Sequence, residues 1–345
     1  MNSYIFVLAV GVDDRPNRWG SISGYYFNLA KALRRLGHKV EFALNPAIRI
    51  RSGFKRFGYR VFDDLVTFKT YAEANVFTHA FIWGGRLSAD REVTRILREN
   101  GVKVLFSELG WFPQAGTLYF DSQGTNAEVS FNRRQYPGLD SRARRVFNKH
   151  RRAFYRRKVG LGWFASPPPF GIRPVDLNKP VLVPLQDQSD TNITLASPFK
   201  RMAEFVDYLA QTYPDVEFVV RPHPSAPVDD LPRHANVVYQ SSAVDVYRTM
   251  DEYGLVIGIN STLLLEAAMM NMPVVAVGQG VGTGTGVFHE LAADDLPGGF
   301  EQIRVDSARA EAYLAFLIGQ RQLFKQDLRS PRRVRNSYLG DLLGL

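Results

Sequence analysis

The 345-residue chain contains no cysteine. A disulfide framework, a Cys-ligated zinc or iron–sulfur site and a thiol nucleophile are therefore excluded, and we expect a cytoplasmic protein. The chain also lacks any run of about 18 consecutive apolar residues, the length that a membrane-spanning helix requires. The apolar segment 4–10 has no basic residue before it and soon meets Asp13 and Asp14. It therefore predicts a first buried strand instead of a signal peptide.

Acidic residues are outnumbered, with 34 Asp and Glu against 43 Lys and Arg, for a formal net charge of +9. Such an excess favours an anionic partner: nucleic acid, an acidic membrane surface, or a phosphorylated or carboxylated substrate. Disorder is excluded because the chain is 45% hydrophobic and has 24 Phe and 15 Tyr. Neither a His-x-x-x-His nor an Asp-x-Asp pair is present, so the sequence predicts no metal site.

Strand and helix patterns alternate along the first half of the chain. This alternation predicts a parallel sheet covered by helices. The predicted strands are 4–10, 39–44, 80–83 and 102–107, and the predicted helices are 25–36 and 91–100.

The second half repeats the alternation after the proline-rich segment 166–169. Its predicted strands are 181–185, 216–221, 237–239, 255–259 and 274–277, with helices at 199–212, 244–253 and 262–271. The sequence therefore predicts two Rossmann-like domains with a cleft between them. Their expected bounds are 1–165 for the first domain, 166–180 for the linker, 181–320 for the second domain, and 321–345 for a helical tail that could pack back on the first.

Lys and Arg dominate the segment 133–158, where Asp140 is the single acidic residue. An apolar stripe that includes Phe147 and Phe154 runs through it, which predicts a basic amphipathic helix. One interpretation is a solvated helix face. Another is peripheral contact with an anionic membrane surface, and nucleic acid is a third.

Polar residues follow several predicted strands, where ligands bind in open α/β sheets. After strand 216–221, His223 stands between two prolines beside Arg221, which suits a phosphate contact or proton donation. After strand 255–259, Ser261 and Thr262 precede a helix, and a helix N-terminus favours anions. The plain alternatives are a His that caps the strand exit and an ordinary Ser N-cap.

Carboxylates follow two other strands. Asp187 and Asp190 lie after strand 181–185 and could serve as base or nucleophile, or simply form a polar turn that caps the next helix. Glu108 follows strand 102–107 beside aromatic residues and could shuttle a proton, or be a surface residue. The glycine-dense segment 278–286 has no Lys where a Walker motif requires one, so it predicts a loop that lines the cleft.

These strand-end elements, in this order, resemble the bacterial capsule polysaccharide biosynthesis proteins, including the retaining β-Kdo glycosyltransferases. The pattern covers most of the chain. It is carried by segments 20–40, 107–112, 184–190, 221–224, 260–262 and 266–275. The resemblance implies a GT-B fold, a CMP-Kdo donor, no metal or other cofactor, and a glycan or lipid-linked glycan acceptor. Nucleic acid is not expected as a partner, because the sequence has no zinc-finger or RNP-type motif and its basic residues cluster apart from the predicted cleft.

The resemblance also implies roles for individual residues. Asp190 would be the nucleophile that forms a covalent sugar adduct, Glu108 the acid/base, and His223 a contact of the CMP phosphate. The residues implied in nucleotide or phosphate binding are Arg221, Pro224, Asn260, Ser261, Thr262 and Glu266, and those implied in support are Gln186, Asp187 and Gly110.

Several alternatives stay open. Asp187 competes with Asp190 for the role of nucleophile. Bacterial sialyltransferases, which also use CMP-sugars, carry a paired-acid-Gly motif, and one acid is missing from Glu108-Leu109-Gly110. A GT-B enzyme with another nucleotide sugar is a further alternative, and so is a non-catalytic protein that binds a polyanion or nucleic acid.

Overall fold

The computed structural model describes residues 1–14, 16–131, 140–162, 165–226, 228–291, 300 and 303–345. In chain order, the strands are β1 (Ser3–Leu8), β2 (Lys39–Leu44), β3 (Tyr59–Val61), β4 (His79–Trp83), β5 (Lys103–Leu109), β6 (Thr117–Asp121), β7 (Val181–Pro184), β8 (Phe218–Arg221), β9 (Val237–Tyr239), β10 (Leu255–Gly258), β11 (Val274–Ala276), β12 (His289–Glu290) and β13 (Leu323–Phe324).

The α-helices among the described residues follow in chain order. They are α1 (Ser23–Arg35), α2 (Ser52–Phe57), α3 (Leu65–Ala74), α4 (Ser88–Glu99), α5 (Ser141–Lys158), α6 (Thr191–Ala196), α7 (Met202–Thr212), α8 (Thr262–Met269), α9 (Ser307–Phe316), α10 (Pro331–Arg335) and α11 (Tyr338–Leu343).

The chain divides into two compact units. One unit holds Met1–Ser130 together with Gln320–Leu345, and the other holds Phe131–Gly319. This division differs from the predicted boundary at residue 165, because α5 packs within the second unit. Phe147 of α5 makes an edge contact with Phe170, and Phe154 makes one with Tyr247.

The first unit is built on a seven-stranded sheet with the order β13-β6-β5-β4-β1-β2-β3. Strands β3, β2, β1, β4 and β5 are parallel. At one end of the sheet, β6 pairs antiparallel with β5, and β13 pairs antiparallel with β6. Every residue of β1 after Ser3 is buried, as expected for a central parallel strand covered by helices on both faces. The C-terminal segment belongs to this unit because β13 pairs with β6 and α10 packs against α1.

The second unit is built on a six-stranded sheet with the order β12-β11-β10-β7-β8-β9, and every pair is parallel. Counted within the unit, this is the 3-2-1-4-5-6 order of the Rossmann fold. The central neighbours β7 and β10 flank the point where the strand order reverses. In such sheets, ligands bind outside the carboxyl ends of these two strands.

Most predicted elements are present within one to three residues of their expected ends, and strands 39–44 and 237–239 match in full. The predicted helix 244–253 is wrong. Asp245 accepts a hydrogen bond from the backbone N–H of Tyr247 and forms a tight turn there, and only Met250–Glu252 forms a short 3₁₀ turn. Asp competes with the helix in this way because its short side chain bonds to nearby backbone groups.

None of the helices among the described residues is both long enough and apolar enough to cross a bilayer.

His79, at the start of β4, is a buried histidine that titrates abnormally. It is 5% exposed, its ring stacks on Tyr4 at 5.1 Å between centroids, and its Nε2 has no hydrogen-bond partner. Burial lowers the pKa of His79 from 6.5 to about 4. Between these two values the unfolded chain binds a proton that the folded chain does not, so stability falls as the pH falls from 6.5 toward 4.

We therefore predict that His79→Gln reduces the pH dependence of unfolding. From neutral pH to about pH 5, the wild-type protein should lose about 2 kcal/mol more unfolding free energy than the variant. Urea unfolding at the two pH values measures this difference. His289→Gln, at a partly exposed histidine of β12, is the matched control and should behave as wild type. Equal pH dependence in wild type and His79→Gln would contradict the prediction.

Candidate functional site

The second sheet brings three of the predicted site segments to one edge. Gln186 follows β7, His223 follows β8, and Asn260 follows β10. The β7 and β8 exits are joined directly, because the Leu185 backbone N–H donates to the Arg221 carbonyl over 2.9 Å. The predicted residues of the second unit therefore follow strands that pair side by side around the reversal point.

Gln186 and Asn260 connect the loops on either side of this point. The Gln186 Nε2 donates to Asn260 Oδ1 over 2.9 Å, and the Asn260 backbone N–H donates to Gln186 Oε1 over 3.1 Å. Each residue both donates and accepts, so the loops that follow β7 and β10 are held in a fixed position relative to each other. Gln186 is 9% exposed, where an unpaired amide would be costly.

Asn260 also binds two other segments. Its Nδ2 donates to the carbonyls of Asn192 in α6 and Gln279, each over 2.9 Å. Gln279 belongs to the glycine-dense segment, which forms a loop as predicted. A Cβ on Gly278 would lie 2.5 Å from Ile259 Cγ2, and one on Gly280 would lie 3.1 Å from Asn260 Cβ. These glycines let the loop backbone pass close to the end of β10.

The two aspartates of the β7–α6 loop shape the backbone in different ways. Asp187 Oδ1 accepts from the backbone N–H and the hydroxyl of Ser189, at 2.9 and 2.7 Å. Asp190 is exposed and caps α6, with its Oδ1 accepting from the Asn192 N–H over 2.8 Å. Among the described residues, Asp190 Oδ2 has no hydrogen-bond donor. One oxygen of Asp190 therefore stays open to solvent or to a ligand.

Ser261 is the N-cap of α8, and its hydroxyl oxygen accepts from the Leu263 N–H over 3.2 Å. Thr262 is the first residue of the helix, which continues for eight residues. Ser261 thus caps the helix, and anion binding at this helix start stays a prediction. The cap leaves the positive end of the α8 dipole at the carboxyl end of β10, where an anion would be stabilised.

Arg221 and His223 lie at the end of β8, the strand next to β7 in the sheet. The Arg221 Nη2 donates to the Ser242 carbonyl over 3.2 Å, and its buried Nε has no hydrogen-bond partner. His223 Nδ1 lies 3.2 Å from the Ser225 hydroxyl. Pro224 follows His223 and is exposed. The Arg221 Nη1 has no hydrogen-bond partner among the described residues, so the guanidinium retains hydrogen-bonding capacity that an anionic ligand could use.

Glu266 has protein partners for its carboxylate. It is 6% exposed, accepts from the Tyr247 hydroxyl over 2.6 Å, and lies 3.6 Å from the Lys158 ammonium. Lys158 also donates to the Tyr247 hydroxyl over 3.0 Å. Burial raises the pKa of Glu266, and the Lys158 charge opposes this shift. Burial and the neighbouring carboxylate raise the pKa of Tyr247. Contact of Glu266 with a nucleotide stays a prediction.

Glu108 and Gly110 belong to the first unit. Glu108 is half-buried near the end of β5, and its Oε1 accepts from the Leu109 N–H over 2.9 Å. Its Oε2 lies 4.0 Å from the position of a Cβ on Gly84, in the loop after β4. Gly110 packs against Thr117, whose Oγ1 would lie 2.4 Å from a Cβ there. Gly110 therefore allows the loop that follows β5 to turn closely against β6.

Two members of the site were not predicted individually. Tyr247 lies in the segment that the sequence predicts as a helix, and Lys158 stands out only as one of many basic residues. Tyr247 is 89 residues from Lys158 and 19 from Glu266. No local pattern could have placed these three side chains together, because they meet only through the packing of α5 and α8.

Among the described residues, no group of three or more His, Asp and Glu side chains is arranged to hold a metal ion.

Comparison with known proteins identifies the fold. No protein-family model matches the chain, and no curated protein sequence does. Solved structures of GT-B glycosyltransferases do match, which confirms the predicted α/β class with two Rossmann-like domains.

Two of the matching structures come from KpsC of Thermosulfurimonas dismutans. The β-Kdo 2,7-transferase has a TM-score of 0.55 and 17% sequence identity, over 90% of this chain and 89% of that one. The β-Kdo 2,4-transferase has a TM-score of 0.52 and 15% identity, over 91% and 90%. The fold is therefore shared with the kind of protein that the sequence motifs resemble.

We predict that Asn260→Ala destabilises the protein by about 2 kcal/mol, because it removes hydrogen bonds to Gln186, Asn192 and Gln279 and leaves their polar groups unpaired. Urea unfolding measures the change. Asn178→Ala, at an exposed asparagine before β7, is the matched control and should change stability by less than about 0.5 kcal/mol. An Asn260→Ala variant as stable as the control would show that the Asn260 contacts do not hold the loops.

Proposed function

We propose that the chain is a glycosyltransferase that moves Kdo, or a related ulosonic acid, from its CMP-activated form to a hydroxyl group of a bacterial surface polysaccharide or lipid-linked glycan. The supporting observation is the edge of the second sheet. Three groups lie there at the ends of neighbouring strands, around the reversal point. They are an open carboxylate oxygen of Asp190, the incompletely hydrogen-bonded guanidinium of Arg221, and the N-terminus of α8. The fold shared with the KpsC β-Kdo transferases also supports the proposal.

In the first proposed step, an Asp190 carboxylate oxygen attacks the anomeric carbon of the donor sugar. The bond between that carbon and the phosphate oxygen breaks, and CMP leaves with the electron pair. Negative charge grows on the phosphate as it departs, so stabilising this charge lowers the barrier most. Arg221, His223 and the first N–H groups of α8 are the groups that we assign to this task, with Ser261 and Thr262 at the helix start.

In the second step, the acceptor hydroxyl attacks the anomeric carbon of the adduct and the bond to Asp190 breaks. Glu108 takes the proton of that hydroxyl. Two displacements at one carbon restore its original configuration, so the proposed transfer is retaining, by the logic that applies to retaining glycosidases. Both positive charge and hydrogen bonds come from protein groups in this scheme, and we expect transfer to proceed without a metal ion. We also expect it to take place in the cytoplasm.

The test is CMP release from freshly generated CMP-Kdo in the presence of EDTA, with CMP-sialic acid and a panel of UDP-sugars in parallel. Intact-protein mass in the same samples reports a covalent sugar adduct. Among these donors, we expect only CMP-Kdo to give CMP release or an adduct. Turnover of a different donor would contradict the assignment of CMP-Kdo as the donor, but the chain would still be a glycosyltransferase. Failure of every donor to react or bind would contradict the proposal.

Asp190→Asn tests the proposed nucleophile. Asparagine has the same shape and can still cap α6 through its Oδ1, so the loop should keep its structure while the nucleophilic charge is lost. We expect no adduct and no transfer, with CMP affinity within about threefold of wild type by calorimetry. Asp187→Asn is the matched control in the same loop and should keep transfer activity. Activity in Asp190→Asn would contradict the assignment of Asp190 as the nucleophile. Its loss in Asp187→Asn alone would assign that role to Asp187.

A further inference from the structure

One face of α5 carries a row of cations that the proposed chemistry does not use. Arg145, Lys149 and Arg152 are exposed and recur at intervals of four and three residues. Residues so spaced lie above one another on a helix, about 5 Å apart along its axis. No acidic residue lies within α5. Arg145 and Lys149 make no ion pair or hydrogen bond with the described residues, so no described acidic side chain neutralises these two charges.

The opposite face of α5 is anchored to the second unit. Phe147 and Phe154 are at most 2% exposed. Arg151 is 2% exposed, and its Nε donates to the Met269 carbonyl at the end of α8 over 3.0 Å. The apolar stripe of the predicted amphipathic helix is therefore used in the core. A helix that lies in a membrane interface needs that stripe free to enter the acyl region.

The helix that carries the row contacts the helix that begins at the proposed donor site. Lys158, the last residue of α5, contacts Glu266 in the second turn of α8. Ser261, which caps the same helix in the predicted phosphate site, is five residues before Glu266. The exposed cations and the proposed site thus lie on two helices that are joined at their contact.

From this exposed, rigidly anchored row we propose that α5 binds a linear glycan that carries carboxylates, namely the acceptor or product chain of the transfer reaction. The identity of the glycan rests on the proposed function, since each transferred ulosonic acid adds one carboxylate to the chain. Guanidinium and ammonium groups in a regular row match a chain with regularly spaced anionic groups. A lipid surface would have to bind by charge alone, without insertion of the apolar stripe.

The test is a binding titration with a purified oligogalacturonide, a linear carboxylated glycan, on the full chain without any donor. The charge-reversal variant Arg145→Glu/Lys149→Glu/Arg152→Glu should bind it about tenfold more weakly than wild type, and raising the salt concentration should reduce this difference. A neutral maltodextrin should not bind. The variant should keep its thermal midpoint and its rate of CMP release, because the three residues are exposed and outside the proposed site.

The matched control is Arg49→Glu/Arg51→Glu/Lys55→Glu, which reverses three exposed charges of the first unit and changes the net charge by the same amount. Equal weakening in both variants would show a non-specific effect of net charge and overturn the proposal. It would also be overturned if phosphatidylglycerol vesicles or a single-stranded oligonucleotide bound to the row while the oligogalacturonide did not. Because no donor is present, these results are independent of whether CMP-Kdo is the substrate.

Discussion

The side chains of Gln186 and Asn260 hydrogen-bond to each other where the central strands β7 and β10 end. Connections leave these strands toward opposite faces of the sheet, so a ligand site there depends on two loops keeping a fixed separation. The amide pair supplies that restraint, and Asn260 extends it to α6 and the glycine-dense loop. Asn260 therefore positions both the open carboxylate oxygen of Asp190 and the N-terminus of α8, and it can do so without touching a substrate.

A buried carboxylate provides the second restraint. Glu266 is held by the Tyr247 hydroxyl and the Lys158 ammonium. Burying a charge without a partner would be strongly destabilising. Together with Arg151, this cluster fixes α5 to α8. It explains why the second unit begins before α5, and why Arg145 and Lys149, on the opposite face of this helix, are exposed. The same contacts anchor the buried face of α5 to the second unit.

The sequence predicts the parts of this structure that depend on local patterns. Apolar runs bounded by Gly, Pro and polar residues predict the central strands, and polar residues after those strands predict the site edge. The helix expected at 244–253 fails because Asp245 forms a local turn. The placement of α5 in the second unit and the contact of Tyr247 with Glu266 could not be predicted, for another reason. They depend on contacts between residues such as Arg151 and Met269, which are 118 positions apart.

The most direct measurement is a crystal structure of the protein with CMP, the product that the proposed reaction releases. A donor site at the β7–β10 edge predicts that the phosphate lies within hydrogen-bond distance of the His223 ring and of the first backbone N–H groups of α8. It also predicts that the Arg221 guanidinium donates to the nucleotide. CMP bound at another edge of the second sheet, or no binding at concentrations that saturate related sites, would contradict a CMP-donor site at this edge.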